Sequence, residues 1–324
     1  MPPKICLIGG TGRSGTTILN QIFARHPDLA DLQEWRFLTD PDGILDFYAA
    51  CQIWSPFHYD LRVKRLERLL KRIGKKHPLS TPYFLLQKFR LLEKLTWIVR
   101  PSYVHVCATD YCPNFLRLVD ELLERLIAFR YQGYWIGMDV IRTDEIRYAP
   151  FPDKAAIAQI LRNFLEQVIQ DVLDDQHVSH YLEKGTWNIL WFDQMLELLP
   201  EARLVHIYRD PRDVVASSIR QKWMPSDPLQ CARIYKDLIG RWENIRRRVP
   251  AERVFEIALE SLVAAPEKSL KSICEFWEIP WHETLLEVDL SKSHAGRWKQ
   301  ELTPTAQRDI QSLLQQEVTS MGYE

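Results

Sequence analysis

The apolar positions of the chain change period twice along its length. Residues 4–9 (KICLIG) form a short continuous apolar run that stops at glycines, the pattern of a strand buried on both faces in a parallel sheet. Residues 16–25 follow with Ile18, Ile22 and Phe23 spaced along one helix face. Strand, glycine loop and helix in that order predict the opening unit of a doubly wound α/β fold. From residue 45 to 177 the period is helical. Leu61, Leu66, Leu69, Leu70 and Ile73 recur at helical intervals, and residues 117–130 and 155–173 repeat that character. Turns are predicted at Ser55-Pro56, His77-Pro78, Thr81-Pro82 and Arg100-Pro101.

Strand-and-helix alternation then returns. Residues 178–183 predict a strand, 188–199 a helix, and 203–208 (RLVHIY) a second buried strand. Asp210-Pro211 caps a helix over 212–221, because proline suits the first helical position. Residues 254–258 predict another strand and 266–277 another helix, and Thr303-Pro304 opens the last one. The expected fold is α/β: a P-loop-type three-layer arrangement with a central parallel sheet and a large helical insertion. Residues 1–44 with 178–324 would form the core, and 45–177 a mainly helical insertion or lid.

Composition narrows the function. Of 324 residues, 46% are hydrophobic and 26% charged, ordinary globular usage, and 42 Lys+Arg against 43 Asp+Glu leave a formal charge of −1. A balanced charge gives no ground for general nucleic-acid or membrane binding, so any anion site must be local. Six cysteines without a CxxC pair make no disulfide scaffold and argue against a zinc site; nine histidines include no HExxH. No metal is expected. No apolar stretch reaches the roughly 18 residues of a membrane span, and the N-terminus lacks a signal-peptide pattern. The expectation is a soluble cytoplasmic protein with reduced thiols.

Glycine is scarce, with 12 in the chain, yet four of them fall between Gly9 and Gly15. Glycines let successive backbone N–H groups converge on one anion, and the following helix N-terminus adds partial positive charge. Gly12, Arg13, Ser14, Gly15, Thr16 and Thr17 are therefore candidate phosphate ligands. The spacing from Gly10 to Gly15 nearly satisfies GxxxxGK[ST], but Thr16 stands where the lysine that serves a nucleoside triphosphate would be. That absence argues against an ATPase or kinase.

A second anion site follows the strand at 203–208. Arg209 lies at the carboxyl end of that strand, where α/β sheets bind ligands, and Ser217 lies about two helical turns past the Asp210 cap. Two phosphate sites on neighbouring strands fit a bisphosphorylated nucleotide. GTGRSGTT and YRDPRDVVAS together resemble the two signature motifs of sulfotransferases that use 3′-phosphoadenosine 5′-phosphosulfate (PAPS). The resemblance is closest to the bacterial and tyrosylprotein-like branch and covers roughly residues 4–40 and 178–305. Leu259-Glu260-Ser261-Leu262 before Pro266-Glu267 is similar to a further family segment, and Gly296-Arg297-Trp298-Lys299 resembles its late basic loop.

The resemblance implies PAPS as co-substrate, with the first motif on its 5′-phosphosulfate and Arg209 and Ser217 on its 3′-phosphate. Arg297 and Trp298 would join the nucleotide site. It also implies Lys184 at the bridging oxygen of the leaving group, although Gly185-Thr186 replaces the family's Thr-Pro after that lysine. Arg13 would neutralise the sulfuryl oxygens. Glu34 matches the position of the tyrosylprotein enzyme's glutamate and is the candidate base; partial burial beside Trp35 would raise its pKa toward working pH. Asp31 and Gln33 are its nearest competitors, and Arg36 would orient the acceptor.

Several features keep two readings. Trp187 either stacks on adenine or belongs to the core. The run from Arg62 to Lys76, with eight Lys/Arg and one Glu, is either the solvated face of an amphipathic helix or a surface for an anionic acceptor. Trp54, Phe57, Tyr59, Tyr83, Phe84, Trp97, Tyr103 and Tyr111 either line an acceptor pocket or fill the insertion's core. His58, His105, His177 and His180 receive no role. The leading expectation is sulfuryl transfer from PAPS to a hydroxyl, or an amine, of a small-molecule acceptor. The alternatives are a P-loop phosphotransferase lacking the Walker lysine, or a non-catalytic nucleotide-binding protein of the same fold. Oligomeric state is not legible.

Overall fold

In the computed structural model, which describes residues 3–30, 34, 36–78, 80, 103–135, 144–150, 153–290 and 295–323, the chain divides into two compact units. The first comprises 1–34 and 178–324, the second 35–177. The predicted turns at Thr81-Pro82 and Arg100-Pro101, and Tyr83, Phe84 and Trp97, lie outside the described residues.

The first unit is built on β1 (Ile5–Gly9), β4 (Tyr181–Lys184), β5 (Ala202–Tyr208) and β6 (Val254–Ala258). All pair in parallel, in the order β4-β1-β5-β6, with Ile5 opposite both Tyr181 and Ala202. Neighbours on both edges bury β1 from Cys6 to Gly9, which is why its sequence is one unbroken apolar run. Cys6, Ile8, Val205, Ile207 and Ile257 face a layer made by helices Thr16–Phe23 and Pro266–Trp277. There the Phe23 and Trp277 rings meet edge to face at 4.7 Å, and Trp277 Nε1 donates to the Arg203 carbonyl at 3.2 Å. On the opposite face His206 lies 5.0 Å from Trp242 of helix Pro228–Arg246, and Trp242 Nε1 donates to Glu256 Oε1 at 3.1 Å. A helix layer on each side of a parallel sheet is the expected three-layer architecture.

The predicted helix at 188–199 is a 3₁₀ turn, Asn188–Leu190, followed by helix Phe192–Leu198. The predicted helix at 212–221 runs from Pro211 to Ser218, with Asp210 Oδ1 accepting from Arg212 N at 2.9 Å. Helix Pro228–Arg246 was not anticipated, although it opens on a legible signal: Asp227 Oδ1 accepts from Gln230 N at 2.7 Å ahead of Pro228.

In the second unit, helices Pro56–Ile73, Phe115–Leu126 and Lys154–Gln176 enclose a core of Leu66, Leu70, Phe115, Leu122, Phe164 and Val168. The expected helix over 117–130 stops early, because residues past Leu126 form the antiparallel pair β2 (Phe129–Gly133) and β3 (Asp144–Tyr148). Phe129 and Tyr131 alternate with Arg130 and Gln132, a period-two pattern that follows the amphipathic helix without a break. Asp60, fully buried, ties this unit together by accepting from Arg147 N (2.9 Å), Trp135 Nε1 (3.0 Å) and Lys64 Nζ (3.0 Å). Residues 36–44 belong here. Ile44 N donates to the Phe37 carbonyl at 2.9 Å, and the Phe37 ring packs 5.7 Å from Phe115 and 6.4 Å from Phe164.

Three cations of the basic run, all in helix Pro56–Ile73, meet carboxylates. Arg62 meets Asp46 at 3.2 Å, Lys64 meets Asp60 and Asp144 at 3.0 Å, and Lys71 meets Glu67 and Asp120 at 3.0 Å. Tyr59 is a buried core residue whose hydroxyl donates to the Leu126 carbonyl at 2.8 Å, and Tyr103 donates to Asp40 at 2.8 Å.

All six cysteines are free thiols. Burial pushes Cys231 up to about 11 and Cys51 and Cys274 up to about 12, and lifts Cys6 and Cys112 further. Only Cys107 is partly exposed. A thiol reagent at pH 8 is therefore expected to label Cys107 alone in the folded protein and the other five only in denaturant. Rapid labelling of Cys231 or Cys274 in the folded chain would contradict this burial.

Candidate functional site

The first site grows out of the end of β1. The backbone turns back through three left-handed residues, Gly12 (φ 79°), Arg13 (φ 57°) and Gly15 (φ 110°), before helix Thr16–Phe23 begins. A left-handed arginine costs about 1–2 kcal/mol, strain of the kind that functional loops retain. A Cβ on Gly10 would fall 2.3 Å from Ser14 Oγ and 2.8 Å from the Ile207 carbonyl, so the chain can pass only as glycine. The helix has no side-chain cap, and the buried Ser14 hydroxyl has no hydrogen-bond partner among the described residues. Uncapped N–H groups and an unsatisfied buried hydroxyl are what an anion ligand would complete.

The second site lies one strand over. Arg209 emerges from the carboxyl end of β5, buried, with Nη2 3.1 Å from Asp213. Ser217, two helical turns on, is also buried and accepts a hydrogen bond from Arg13 Nε at 2.9 Å. Residues 204 positions apart in sequence thus touch directly. Arg13, Gly15, Thr16, Thr17 and Arg209 line a single cavity of about 410 Å³ that Leu259 and Glu260 help to close. This volume is in the range of small-molecule sites. The Glu260 carboxylate is engaged from behind by the Tyr323 hydroxyl at 2.6 Å; burial and that carboxylate hold the Tyr323 phenol well above its usual range.

The third cluster sits at the end of β4. Lys184 Nζ lies 3.4 Å from Glu34 Oε1, and the same oxygen accepts from Thr186 Oγ1 at 3.0 Å and Thr186 N at 3.3 Å. The segment is sewn to β1 and the glycine loop by Gly185 N on the Ile8 carbonyl (3.1 Å) and Gly10 N on the Thr186 carbonyl (3.2 Å). Gly185 explains the departure after the lysine: a Cβ there would lie 2.1 Å from Asn188 Oδ1. Asn188 is itself fixed, donating to the Ile8 carbonyl at 3.2 Å and to Glu183 at 2.7 Å. Glu34 Oε1 thus meets one cation and two donors. Trp35, Asp31 and Gln33 lie outside the described residues.

The structure brings Gly12, Arg13, Ser14, Gly15, Thr16, Thr17, Arg209 and Ser217 to one place, and sets Glu34 with Lys184 beside the Gly10 end of the same loop. It does not bring Arg297 or Trp298 to the cavity lining. Arg297 is engaged by Glu301 on its own short helix (2.7 and 2.8 Å), and the Trp298 ring lies under the Arg212 guanidinium at 4.4 Å. Trp187 is half-buried and meets the exposed Trp223 edge to face at 6.0 Å; neither ring is part of that lining, although Trp223 lies against Gly12. Arg36 is exposed and belongs to the second unit. Sequence reasoning missed Thr186, which holds Glu34, and Asp213, which holds Arg209. Asp213 carried one signal: it stands four residues after an arginine across a helix start.

Among the described residues no helix is long and apolar enough to cross a membrane, and no group of three His, Cys, Asp or Glu is arranged for a metal ion. The family model "Sulfotransferase family" matches residues 6–283. An uncharacterized protein of Aquifex aeolicus is 22% identical over 229 residues, 68% of this chain and 28% of its own length. Protein-tyrosine sulfotransferase 1 of Danio rerio is 22% identical over 183 residues, 54% of this chain and 49% of its own. The chain therefore spans half or less of the curated relatives it matches. Among solved structures, the sulfotransferase domain of the curacin biosynthetic pathway superposes with a TM-score of 0.50 at 14% identity, covering 99% of this chain and 98% of that one. The sulfotransferase domain of the Synechococcus PCC 7002 olefin synthase gives 0.49 at 18% identity, covering 100% and 96%.

Proposed function

The chain belongs to the sulfotransferase family, and from that premise we propose that it transfers a sulfuryl group from PAPS to a hydroxyl of a small-molecule acceptor, releasing adenosine 3′,5′-bisphosphate. The observation that carries the reading is the single cavity in which Arg13, Gly15, Thr16 and Thr17 of the first motif meet Arg209 of the second. A nucleotide phosphorylated at both ends of its ribose needs two anion sites at a fixed separation. The hydrogen bond from Arg13 to Ser217 joins the two sites physically.

PAPS supplies the activated sulfuryl group. The loop at 12–17 holds its 5′ end, with the uncapped helix N-terminus and Arg13 countering the sulfuryl charge. Arg209 and Ser217 hold the 3′-phosphate. Glu34 takes the acceptor proton as the new sulfur–oxygen bond forms. Lys184 meets the charge that builds on the departing phosphate oxygen as the old sulfur–oxygen bond breaks; a compact ammonium suits charge on one atom. Thr186 keeps the Glu34 carboxylate in place while this happens. The protein is expected to act without a metal, in the cytoplasm.

Calorimetry separates this reading from a phosphotransferase. Adenosine 3′,5′-bisphosphate is expected to bind at least about tenfold tighter than AMP, because removing the 3′-phosphate removes its charge-assisted hydrogen bonds to Arg209. ATP–Mg²⁺ should bind no tighter than AMP. Release of bisphosphate from labelled PAPS in the presence of an acceptor panel then tests transfer. Preferential binding of ATP–Mg²⁺, or no release with any acceptor, would overturn the reading.

A further inference from the structure

Asp213 is a fully buried carboxylate in the first turn of helix Pro211–Ser218. Its Oδ2 lies 3.1 Å from Arg209 Nη2 and accepts from Gly296 N at 2.8 Å, and its Oδ1 accepts from Trp298 N at 3.0 Å. Arg209 and Ala295, the neighbour of Gly296, both line the nucleotide-sized cavity. Gly296 has φ 76°, the left-handed turn that aims two nearby N–H groups at one acceptor. A buried carboxylate is tolerated only when its charge and lone pairs are answered, and here the answers come from both sides of the cavity's rim.

We propose that Asp213 is a positioning residue for the 3′-phosphate of the donor, acting through Arg209 and through the turn at 295–298. This rests on the reading of the cavity as a PAPS site. The guanidinium is a rigid planar fork, so fixing one nitrogen restricts the orientation of the others. An arginine ordered before the ligand arrives loses less side-chain freedom on binding, which raises affinity for the group it meets. By gripping Gly296 and Trp298 as well, the same carboxylate fixes the adjoining wall in register with Arg209. Arg212, forked onto Asp210 and lying over Trp298, covers that turn from the other side.

Asp213→Asn tests the role. The amide keeps the shape but turns an NH₂ toward a surrounding of donors, so one contact becomes donor against donor. Affinity for adenosine 3′,5′-bisphosphate, read by calorimetry, is expected to fall about tenfold, as for partners that orient a ligating group, while AMP changes by less than about twofold. Combined with Arg209→Ala, Asp213→Asn should add clearly less than its full loss, since part of its effect passes through that guanidinium and only the rest through the turn at 295–298. Equal losses for the two nucleotides, or additive losses in the double variant, would show a merely structural role and overturn the proposal.

Should Asp213→Asn fail to fold, Gly296→Ala probes the same tether. A Cβ there meets nothing within 4 Å among the described residues, so the strain expected is that of the left-handed backbone. It is expected to lower the preference for the bisphosphate about threefold, and an unchanged preference overturns the part assigned to the turn. Wild-type protein that binds both nucleotides equally would instead overturn the donor reading, and the role of Asp213 with it.

Discussion

Glu34→Gln is expected to lower kcat for sulfuryl transfer by about 10³-fold while leaving the affinity for adenosine 3′,5′-bisphosphate within about twofold. The carboxylate is not in the cavity lining, so removing its charge leaves the nucleotide's own contacts in place. What it removes is the acceptor for the hydroxyl proton. The Gln carbonyl can still accept from Thr186, which now bonds Glu34 Oε1 at 3.0 and 3.3 Å, so the side chain should keep its position. Its neutral amide cannot take a proton, and the carbonyl oxygen facing Lys184 no longer carries a charge for the ammonium to pair with. A variant with near-normal kcat would remove Glu34 from the chemistry and return the question to Asp31, its nearest carboxylate competitor.

What the sequence makes legible here is local. β1, the glycine turn and the first helix are read from fifteen or so consecutive positions, because burial on both faces, left-handed backbone and helix initiation each leave a mark within a few residues. Arg209 ends β5 just ahead of the Asp210 cap and Ser217 lies in the helix that follows, so a single local stretch carries both. The hydrogen bond from Arg13 to Ser217 spans 204 positions and has no local signature; resemblance between motifs, not period, is what suggested a shared ligand. Thr186 is a further case. Its bond to Glu34 crosses 152 positions and depends on the register of β4 against β1.

Spacing alone does not separate the two late arginines. Arg297 pairs with Glu301 four residues on at 2.7 Å, as Arg209 pairs with Asp213 at 3.1 Å, but of the two it is Arg209 that lines the cavity. Trp298 suggested a nucleotide contact, but a ring over the Arg212 guanidinium satisfies both groups without one. The β2–β3 pair was missed because Phe129 to Gly133 directly extends an amphipathic helix, so nothing polar marks the change of period. The boundary placed at residue 44 falls after residue 34, since Phe37 is buried among aromatic rings of the second unit.

Lys184→Met is expected to cost about 10²- to 10³-fold in kcat, the loss typical of removing one charge that meets a developing oxyanion. Methionine is close in length and apolar shape, so packing at the end of β4 should survive. Lys184→Arg should recover little, because a broad delocalised fork does not place its charge on one leaving oxygen as an ammonium does. The 3.4 Å approach of Lys184 to Glu34 makes the pair informative. If Lys184 served only to hold the glutamate, Lys184→Met would cost nothing once Glu34→Gln is present. If it meets the leaving oxygen, its removal should still slow what remains, although less than additively, because residues that act in one step lose their effects jointly. Single-turnover rates for the two single variants and the double variant decide between these. A Lys184→Met protein with wild-type kcat would leave the departing phosphate to Arg13 and the helix N-terminus alone.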